Sequence, residues 1–519
     1  MKKLFRVIFS RYSISAALFL LELVAVALVV TYTSSYSYLF FLSARILNAL
    51  VIISLISRDI NPEFKVTWAV VLCLVPFFGS VLYLIFYSRK MSPEEIKRLK
   101  NIDALLNRDD MRSVSTLADL GAEDPSAAGR AVSLLHDDVY AELYRESKIK
   151  YFSSGESMYS ALLKDLSKAE SFIFLEYFII EEGAMWQGIY DVLIKKRREG
   201  VDVRLVYDDI GCMKTLPRGF AARLKREGIK CKCFGRVSSR LMANHNNRDH
   251  RKIAVIDGMV AYTGGVNIAD EYINARTRFG YWKDGGVRAE GRCAVGFMRL
   301  FLSNYYLCDG IEDEDADLAL INRVNEISAE TASQGDGGYY IPFGDGPAPL
   351  SPDYTSKNAI MNLINRAEKY LYITTPYLVI DYDLTEALRG AARRGVDVRI
   401  ITPGIPDKKI VKVMTKSTYP ALVSSGVRIF EYMPGFIHEK LIVSDDLCAM
   451  VGTVNLDYRS LVHHFENALW IYGSPEIREM RSAMLKTVSL CREIGQKEAR
   501  LSIGERIVRA MVRLFSPLL

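Results

Sequence analysis

The sequence predicts an α/β protein made of two homologous domains that follow a helical membrane segment. Three observations support this prediction: apolar runs near the N-terminus, strand-like runs that alternate with amphipathic segments, and an internal sequence repeat. The chain has 519 residues, half of them apolar and a quarter charged, which excludes a disordered or collagen-like protein. A net charge of +6 is too small to indicate nucleic acid binding by itself.

The membrane segment, residues 1–90, contains three apolar runs, and each has the ~20 residues that cross a bilayer as a helix. These runs are Ile14–Tyr32, Tyr36–Ser57 and Val66–Tyr87. No signal-peptide cleavage site follows the first run, so we expect an uncleaved, multi-pass anchor. Basic residues at both ends of the segment predict that both ends lie in the cytoplasm, whereas three full spans would place them on opposite sides of the membrane. The second run, which carries Arg45 and Asn48, is the best candidate for a re-entrant piece.

The rest of the chain divides into a connector and two similar halves. A polar helical connector, residues 91–148, begins with the helix-start pattern Ser92-Pro93-Glu94-Glu95. Strand-like runs then alternate with helical segments, which predicts βαβ units and a mostly parallel sheet. The segment Gly200–Leu205 recurs about 195 residues later as Gly395–Ile400. We therefore expect homologous domains at 149–310 and 354–519, a linker at 311–353, and one site at their pseudo-twofold interface.

Each half carries the same polar pattern, H-x-K-x4-D-x6-G-[GT]-x-N. The chain has only six histidines, and two of them fall at equivalent places in the two copies. Because residues two apart on a strand share a face, the histidine and lysine of each copy can point into one cleft. The two copies consist of His250, Lys252, Asp257 and Asn267 in the first half and His438, Lys440, Asp445 and Asn455 in the second.

These side chains suit substitution at phosphorus without a metal or another cofactor. A neutral imidazole can attack phosphorus and carry a covalent phospho-intermediate, while a protonated imidazole can give its proton to the leaving alkoxide. Two imidazoles with opposite tasks need surroundings that separate their pKa values. The lysines, together with Asn267 and Asn455, would bind the phosphate oxygens. The eight cysteines form neither a readable disulfide framework nor a zinc motif.

The paired motifs resemble the phospholipase D superfamily, in which two such halves form one active site. Within it, the chain most resembles the bacterial cardiolipin synthases, over nearly all of its length. The resemblance implies two phospholipase D-like α-β-α domains that form one pseudo-twofold catalytic unit behind a helical anchor in the bacterial cell membrane. Gly265 stands where the wider superfamily often has serine. Further similar segments are Asn61–Trp68, Asn267–Tyr272, Thr375–Tyr377, Leu456–Ser460 and Arg513–Leu519.

The resemblance also implies a reaction. One phosphatidylglycerol gives its phosphatidyl group to a histidine and releases glycerol, and a second phosphatidylglycerol then attacks with its terminal hydroxyl to give cardiolipin. Following the superfamily, we assign His250 as the nucleophile and His438 as the general acid and base, an assignment that the symmetric motifs leave open. Asp284 and Glu466 match positions that accept a hydrogen bond from each catalytic histidine. Such a carboxylate fixes the tautomer of the imidazole.

Several roles stay open at this point. Asp257 and Asp445 complete the catalytic motif, although we expect them to act in structural pairing and not in proton transfer. His464, like its neighbour at 463, is expected to be structural, with a substrate contact as the alternative. The amphipathic end, Arg500–Leu519, suits either an anionic membrane surface or packing on the catalytic domain. The sequence does not predict the oligomeric state.

Two rival functions use the same sequence features. A hydrolytic phospholipase D would employ the same residues with water as the acceptor, whereas the anchor and the lack of a basic, aromatic stripe argue against a nuclease. A catalytically inactive lipid-binding scaffold is disfavoured because both motifs are intact.

Overall fold

The computed structural model describes residues 24, 37–58, 61–86, 93–106, 120–122, 124–137, 141–236, 247–312, 314–330, 335–347, 350–351, 354–500, 504 and 506. The chain divides into an N-terminal unit, Met1–Arg89 with two short further segments, and a larger unit that contains the two motifs. The first apolar run, apart from Val24, and the amphipathic C-terminus, apart from three residues, lie outside the described residues.

The described part of the N-terminal unit contains three helices: α1 Ser37–Ser57, α2 Pro62–Leu74 and α3 Pro76–Phe86. Among the described residues, α1 is the one helix that is long and apolar enough to cross a membrane, over Tyr38–Ser57. Many of its apolar side chains, such as Leu50 and Ile53, are exposed, as lipid-facing residues are. The side-chain amide of Asn48 donates to the carbonyl of Leu72 at 3.0 Å, which ties α1 to α2.

The third apolar run is not the single spanning helix that the sequence predicts. It is interrupted at Val75 because Pro76 has no N–H to donate and disfavours helical geometry in the residue before it. The resulting helices of 13 and 11 residues are about 20 and 17 Å long, short of the ~30 Å hydrocarbon core. The second run, by contrast, is continuous. A multi-pass anchor is therefore not supported by the described residues.

The larger unit is built on two main sheets. The first has seven strands in the order β1-β8-β6-β5-β2-β3-β4. Its strands are β1 Ser147–Phe152, β2 Phe172–Tyr177, β3 Asp202–Asp208, β4 Lys230–Phe234, β5 Lys252–Ile256, β6 Val260–Gly264 and β8 Gly286–Gly291, while β7 Tyr281–Lys283 lies outside it.

The second sheet has eight strands in the order β19-β13-β12-β10-β15-β16-β18-β9. Its strands are β9 Tyr339–Asp345, β10 Tyr370–Thr374, β12 Asp397–Pro403, β13 Arg428–Tyr432, β15 Leu441–Ser444, β16 Cys448–Gly452, β18 Glu466–Tyr472 and β19 Cys491–Glu493. Three short strands, β11 Leu378–Val379, β14 Gly435–Ile437 and β17 Leu456–Asp457, lie outside it. Apart from β19, the second sheet repeats the strand order of the first, which confirms the predicted duplication.

Both sheets are mixed, so the predicted mostly parallel sheet is wrong. Only β2-β3-β4 and β10-β12-β13 are joined in parallel, and the remaining neighbours in the two sheets are antiparallel. The reason lies in the motif itself. Its apolar strand turns back after three residues, at 257–259 and at 445–447, and so short a connection joins antiparallel strands.

The helices either cover the outer faces of the sheets or contribute side chains to the core between them. In the first half they are α4 Pro93–Leu106, α5 Pro125–Asp137, α6 Gly155–Lys168, α7 Ala184–Arg198, α8 Asp209–Cys212, α9 Phe220–Arg226, α10 Cys293–Asp309 and α11 Glu314–Glu330. In the second half they are α12 Thr355–Arg366, α13 Tyr382–Arg393, α14 Lys409–Val423, α15 Tyr458–Val462, α16 Glu476–Val488 and α17 Gln496–Ala499.

A central core joins the two halves. It contains buried side chains of both sheets together with α10, which is buried along nearly its whole length. Two further cores lie on the outer faces, one under α6, α7 and α9 and one under α5, α12, α13 and α14. The predicted linker contributes to this architecture, because β9 pairs with β18 along seven residues at the edge of the second sheet. The inner faces of the sheets thus hold the two motifs in a fixed relation.

The motif aspartates hold the start of a neighbouring strand. The carboxylate of Asp257 accepts hydrogen bonds from the backbone N–H groups of residues 170–172, each at 2.8 Å. Asp445 accepts three from residues 368–370 at 2.9 Å. Both aspartates have positive φ, 53° and 59°, in the turn after the motif strand. They lie at the opposite end of that strand from the histidines, a position that suits the structural pairing expected of these two members of the motif.

Replacement of Asp445 by alanine is expected to destabilise the fold by about 1–3 kcal/mol, since three N–H groups lose their acceptor and alanine is less suited to positive φ. Thermal unfolding of the detergent-solubilised chain measures this. Asp191→Ala is the control, because the exposed carboxylate of Asp191 accepts one bond, from Gln187, and its loss should change stability by less than about 0.5 kcal/mol. An Asp445→Ala protein with wild-type stability and no activity would instead assign Asp445 to the chemistry.

Candidate active site

The histidine and lysine of each motif lie together on buried backbone. Lys252 begins β5 and Lys440 immediately precedes β15, with each histidine two residues earlier. The ammonium group of Lys252 donates to the carbonyl oxygen of His250 at 2.6 Å. The ammonium group of Lys440 donates to the carbonyl of His438 and lies 2.9 Å from its Nε2. Both histidines are only 7% exposed, so the site is shielded from bulk water.

Each histidine is held by a carboxylate from the other half. Nδ1 of His250 lies 2.9 Å from a carboxylate oxygen of Glu466 on β18, and Nδ1 of His438 lies 2.7 Å from Asp284, which follows β7. The backbone of each histidine also forms a hydrogen bond with the other half. The N–H of His250 donates to the carbonyl of Phe465 at 2.9 Å, and the N–H of His438 donates to that of Lys283 at 2.7 Å. Neither half therefore contains a complete histidine–carboxylate pair.

Short strands join the two halves next to the histidines. β14, which ends one residue before His438, pairs in parallel with β7, and Asp249 forms the corresponding bridge with Phe465. The sequence predicts that Asp284 and Glu466 orient the histidines, but it does not predict which carboxylate serves which histidine. The structure brings both histidines and both lysines of the motifs together with the two carboxylates. The ammonium of Lys252 acts on His438 as well as on its own motif, since it helps to lower the pKa of that histidine.

Burial and charge set the protonation states. Burial lowers the pKa of His250 to about 3, and burial together with the neighbouring Lys440 lowers the pKa of His438 to about 4. Burial opposes ionisation of Asp284 and Glu466, yet the charge and hydrogen bond of the facing histidine lower the pKa of each carboxyl group. Each neutral imidazole therefore donates Nδ1–H to its carboxylate and keeps a lone pair on Nε2.

Burial also disfavours the charged form of the two lysines. Burial lowers the pKa of Lys252 to about 8 and that of Lys440 to about 7. In both lysines desolvation outweighs the nearby carboxylates of Glu466 and Asp284, which favour the charged form. An anionic phosphodiester next to these desolvated ammonium groups would favour their charged form, so the site suits such a ligand.

The two carboxylates are supported differently. The hydroxyl of Thr453 donates to Glu466 at 2.5 Å, whereas the equivalent position in the first half is Gly265. A β-carbon at position 265 would lie 2.1 Å from Oδ1 of Asp284, so only glycine leaves room for this carboxylate. Asp284 instead accepts the backbone N–H of Gly285 at 2.8 Å. The hydroxyl missing at position 265 is therefore replaced by a backbone donor.

The predicted phosphate-binding asparagines are engaged in holding loops. The side chain of Asn267 accepts the N–H of Ile179 at 3.0 Å and donates to the hydroxyl of Tyr272 at 2.8 Å. The side chain of Asn455 donates to the hydroxyl of Ser460 at 3.1 Å, and its buried carbonyl oxygen has no partner among the described residues. A direct phosphate contact of either residue stays a prediction.

Sequence reasoning missed the aromatic wall and a second buried ion pair. The rings of Tyr272 and Trp282, both from the first half, lie 5.5 Å from the ring of His438, and Phe178 lies 5.0 Å from His250. Glu439, between the histidine and lysine of the second motif, pairs with Lys283 at 3.1 Å. Aromatic residues are too common in strands to mark such a wall in a sequence.

His464 lies closer to the chemistry than the sequence predicts. Its Nδ1 is 3.7 Å from Glu466, and its ring is 5.5 Å from that of His250. Among the described residues, His250, His464 and Glu466 form a group whose ligand atoms all lie within 4.8 Å of one another, which a metal ion could use. Glu466 is already committed to His250, and the expectation of a metal-free reaction stays a prediction.

The duplicated sheets and the exchanged histidine–carboxylate pairs define a phospholipase D-like catalytic unit. The family model described as "Cardiolipin synthase, PLD-like domain" matches residues 162–277 and 360–487, and a phospholipase D-nuclease N-terminal model matches residues 46–86. Phosphatidylserine synthase from Haemophilus influenzae shares the fold, with a TM-score of 0.55 at 14% identity over 72% of this chain and 95% of that chain.

Similarity to curated proteins extends over most of the chain. A cardiolipin synthase from Oceanobacillus iheyensis is 32% identical over 489 residues, which cover 91% of this chain and 98% of that protein. An uncharacterised protein from Streptococcus mutans is 38% identical over 475 residues, which cover 90% of this chain and 99% of that protein. The chain belongs to the bacterial cardiolipin synthases of the phospholipase D superfamily. It is a phosphatidyltransferase, its substrates are phospholipids, and the family and the apolar α1 indicate a membrane protein.

The histidines should make the protein sensitive to acid. Their folded-state pKa values, about 3 and about 4, lie below the ordinary value of 6.5, so the unfolded chain takes up protons first as the pH falls. The stability that the neutral histidines contribute is present above pH 6.5 and is lost as the pH falls towards 4.

A His250→Asn/His438→Asn double variant should lose part of this dependence, so that its unfolding temperature falls less steeply between pH 6.5 and 4 than that of the wild type. Differential scanning fluorimetry across this range measures both slopes. Equal slopes would mean that other groups cause the acid sensitivity and that the histidines are not buried in neutral form.

Proposed function

We propose that the protein is a cardiolipin synthase that joins two phosphatidylglycerol molecules and releases glycerol through a phosphatidyl-histidine intermediate. The observation that carries this proposal is the exchanged pairing of His250 with Glu466 and of His438 with Asp284. It supplies two oriented imidazoles in one site, beside two buried lysines whose charged form an anionic partner would favour.

In the first step, Nε2 of His250 attacks the phosphorus of one phosphatidylglycerol. The bond from phosphorus to the glycerol oxygen breaks, and His438 gives its proton to that oxygen. Burial favours neutral His438. The imidazole therefore takes up this proton from solvent as the phosphodiester anion binds and favours the protonated form, which Asp284 stabilises. Lys252 and Lys440 neutralise the charge on the non-bridging oxygens in the transition state.

In the second step, the terminal hydroxyl of another phosphatidylglycerol gives its proton to His438 and attacks the phosphorus. The phosphorus–nitrogen bond breaks, its electron pair returns to His250, and cardiolipin leaves. Both steps use the same groups in opposite directions, so the reaction is reversible. Glu466 keeps His250 in the same tautomer throughout.

The shielding of the site favours an alcohol acceptor over water. Both histidines are almost fully buried, and the aromatic rings of Tyr272, Trp282 and Phe178 surround them. Because excess water would hydrolyse a phosphatidyl-histidine, exclusion of water is needed for transfer to a lipid. A phospholipase D hydrolase is the alternative that the same residues would allow.

A mass balance in vesicles of phosphatidylglycerol alone tests the proposed reaction. We expect cardiolipin and glycerol in equal amounts, because one glycerol leaves for every cardiolipin formed. Thin-layer chromatography of the lipids with an enzymatic glycerol assay measures both products. Glycerol accompanied by phosphatidic acid, without cardiolipin, would replace the proposal by hydrolysis. A His250→Ala/His438→Ala protein serves as the blank.

The assignment of the two histidines is tested with a phosphatidyl ester of p-nitrophenol, a leaving group that needs no proton. We expect His438→Ala to release a stoichiometric burst of p-nitrophenol and to stall with the phosphatidyl group on residue 250. His250→Ala should give no burst. Stopped-flow absorbance follows the burst, and mass spectrometry locates the adduct. A burst from His250→Ala with the adduct on residue 438 would exchange the two roles.

A further inference from the structure

Exposed apolar side chains follow equivalent strands in the two halves of the catalytic unit. After β12, Ile405, Ile410 and Val413 are exposed on the loop and on the first turns of α14, and Ile410 is 51% exposed. After β3, Ile210 and Met213 are exposed on and just after the short helix α8. Grouped, exposed apolar side chains mark a surface that contacts another molecule or a membrane.

Basic residues are interleaved with these apolar side chains. We define the α14 patch as Ile405, Lys408, Lys409, Ile410, Val413 and Lys416, all of which are exposed. Lys412, on the same helix, turns inward and pairs with Glu431 at 2.6 Å. In the first half, exposed Lys214 follows Met213 directly. Aliphatic side chains mixed with ammonium groups are the composition of helices that lie on anionic bilayers.

The α14 patch adjoins the active site. The hydroxyl of Tyr377 donates to Asp407 at 2.7 Å, and the ammonium of Lys408 lies 5.6 Å from the centre of the Tyr377 ring. The ring of Tyr377 lies 6.5 Å from that of Phe436, which in turn lies 5.8 Å from the ring of His438. Two aromatic side chains therefore connect the patch to a catalytic histidine.

The corresponding segment of the first half adjoins the other histidine. The hydroxyl of Thr215 donates to the carbonyl of Ile180 at 2.6 Å, and the N–H of Ile180 donates to Sγ of Cys212 at 3.1 Å. These bonds fix the segment against the loop that carries Phe178, whose ring lies 5.0 Å from His250. Each exposed segment is thus connected to a different histidine through aromatic side chains.

We propose that the α14 patch, together with the Ile210–Met213 segment, is the surface by which the catalytic unit lies on an anionic phospholipid bilayer. A phospholipid headgroup has to leave the bilayer and reach two buried histidines, and a surface next to both of them shortens that path. The ammonium groups attract anionic lipid, and the aliphatic side chains enter the headgroup region. The proposed function enters this inference only through the identity of the lipid, phosphatidylglycerol.

Photocrosslinking of the full-length chain tests the proposal. p-Benzoylphenylalanine is placed at position 410 or, as a matched control, at Leu447, an exposed residue in the turn at the far end of the motif strand. In phosphatidylglycerol vesicles we expect lipid adducts at position 410 and few at position 447, with fewer adducts at 410 in phosphatidylcholine vesicles. Mass spectrometry of the peptides measures them. Equal labelling at both positions, no lipid at 410, or crosslinks between two chains at 410 would overturn the proposal.

A kinetic comparison provides a second readout. Ile410→Ser/Val413→Ser should slow cardiolipin formation several-fold in vesicles but leave the rate on monomeric short-chain phosphatidylglycerol unchanged, whereas Leu447→Ser should change neither. Equal losses on both substrates would mean that the patch supports the fold of the site and not docking. Because crosslinking needs no turnover, lipid adducts without cardiolipin would contradict the proposed reaction alone.

Discussion

The exchanged histidine–carboxylate pairs are the constraint on which the rest of the catalytic unit depends. Nδ1 of each histidine must meet a carboxylate that lies 154 or 216 residues away in the chain, on the other half. That requirement fixes the pairing of β7 with β14 and the approach of Phe465 to the backbone of His250. The central core around α10 then holds both sheets in this position. Neither half could carry out the chemistry alone, which gives a physical reason for the duplication.

Much of the fold and half of the site could be read from local sequence. The repeat, the paired motifs and the carboxylates Asp284 and Glu466 are visible because each is a short pattern. The exchange of carboxylates between halves could not be read, since it arises from the packing of two sheets. The mixed sheet follows from a turn whose residues, Asp257 and Gly258, have positive φ. That turn and the helix break at Pro76 are local signals. The alternation of strands with helical segments predicts a parallel sheet in spite of the turn, and the hydropathy of the third apolar run predicts a spanning helix in spite of the proline.

Folding of the site removes charged groups from water, and these are the groups proposed to bind the substrate. Two lysines, two carboxylates and two imidazoles are removed from water within one cleft, where charged groups lose their solvation. The lowered pKa values of Lys252 and Lys440 reflect this loss of solvation. The surrounding apolar cores offset this cost. An anionic phosphodiester would favour the charged form of both lysines, so the desolvation that weakens the fold would also favour the binding of such a substrate.

The two copies of the motif depart from twofold symmetry, which the opposite tasks proposed for the two histidines would require. Glu466 receives the hydroxyl of Thr453, whereas the shorter Asp284 fills the space left by Gly265 and receives a backbone N–H. Lys440 lies against Nε2 of its histidine, whereas Lys252 donates to the backbone of its own. A strictly symmetric site would give both imidazoles the same proton affinity. Under the proposed mechanism, a phosphodiester that draws the ammonium of Lys440 away from His438 would raise the pKa of that imidazole, because the neighbouring Lys440 lowers it.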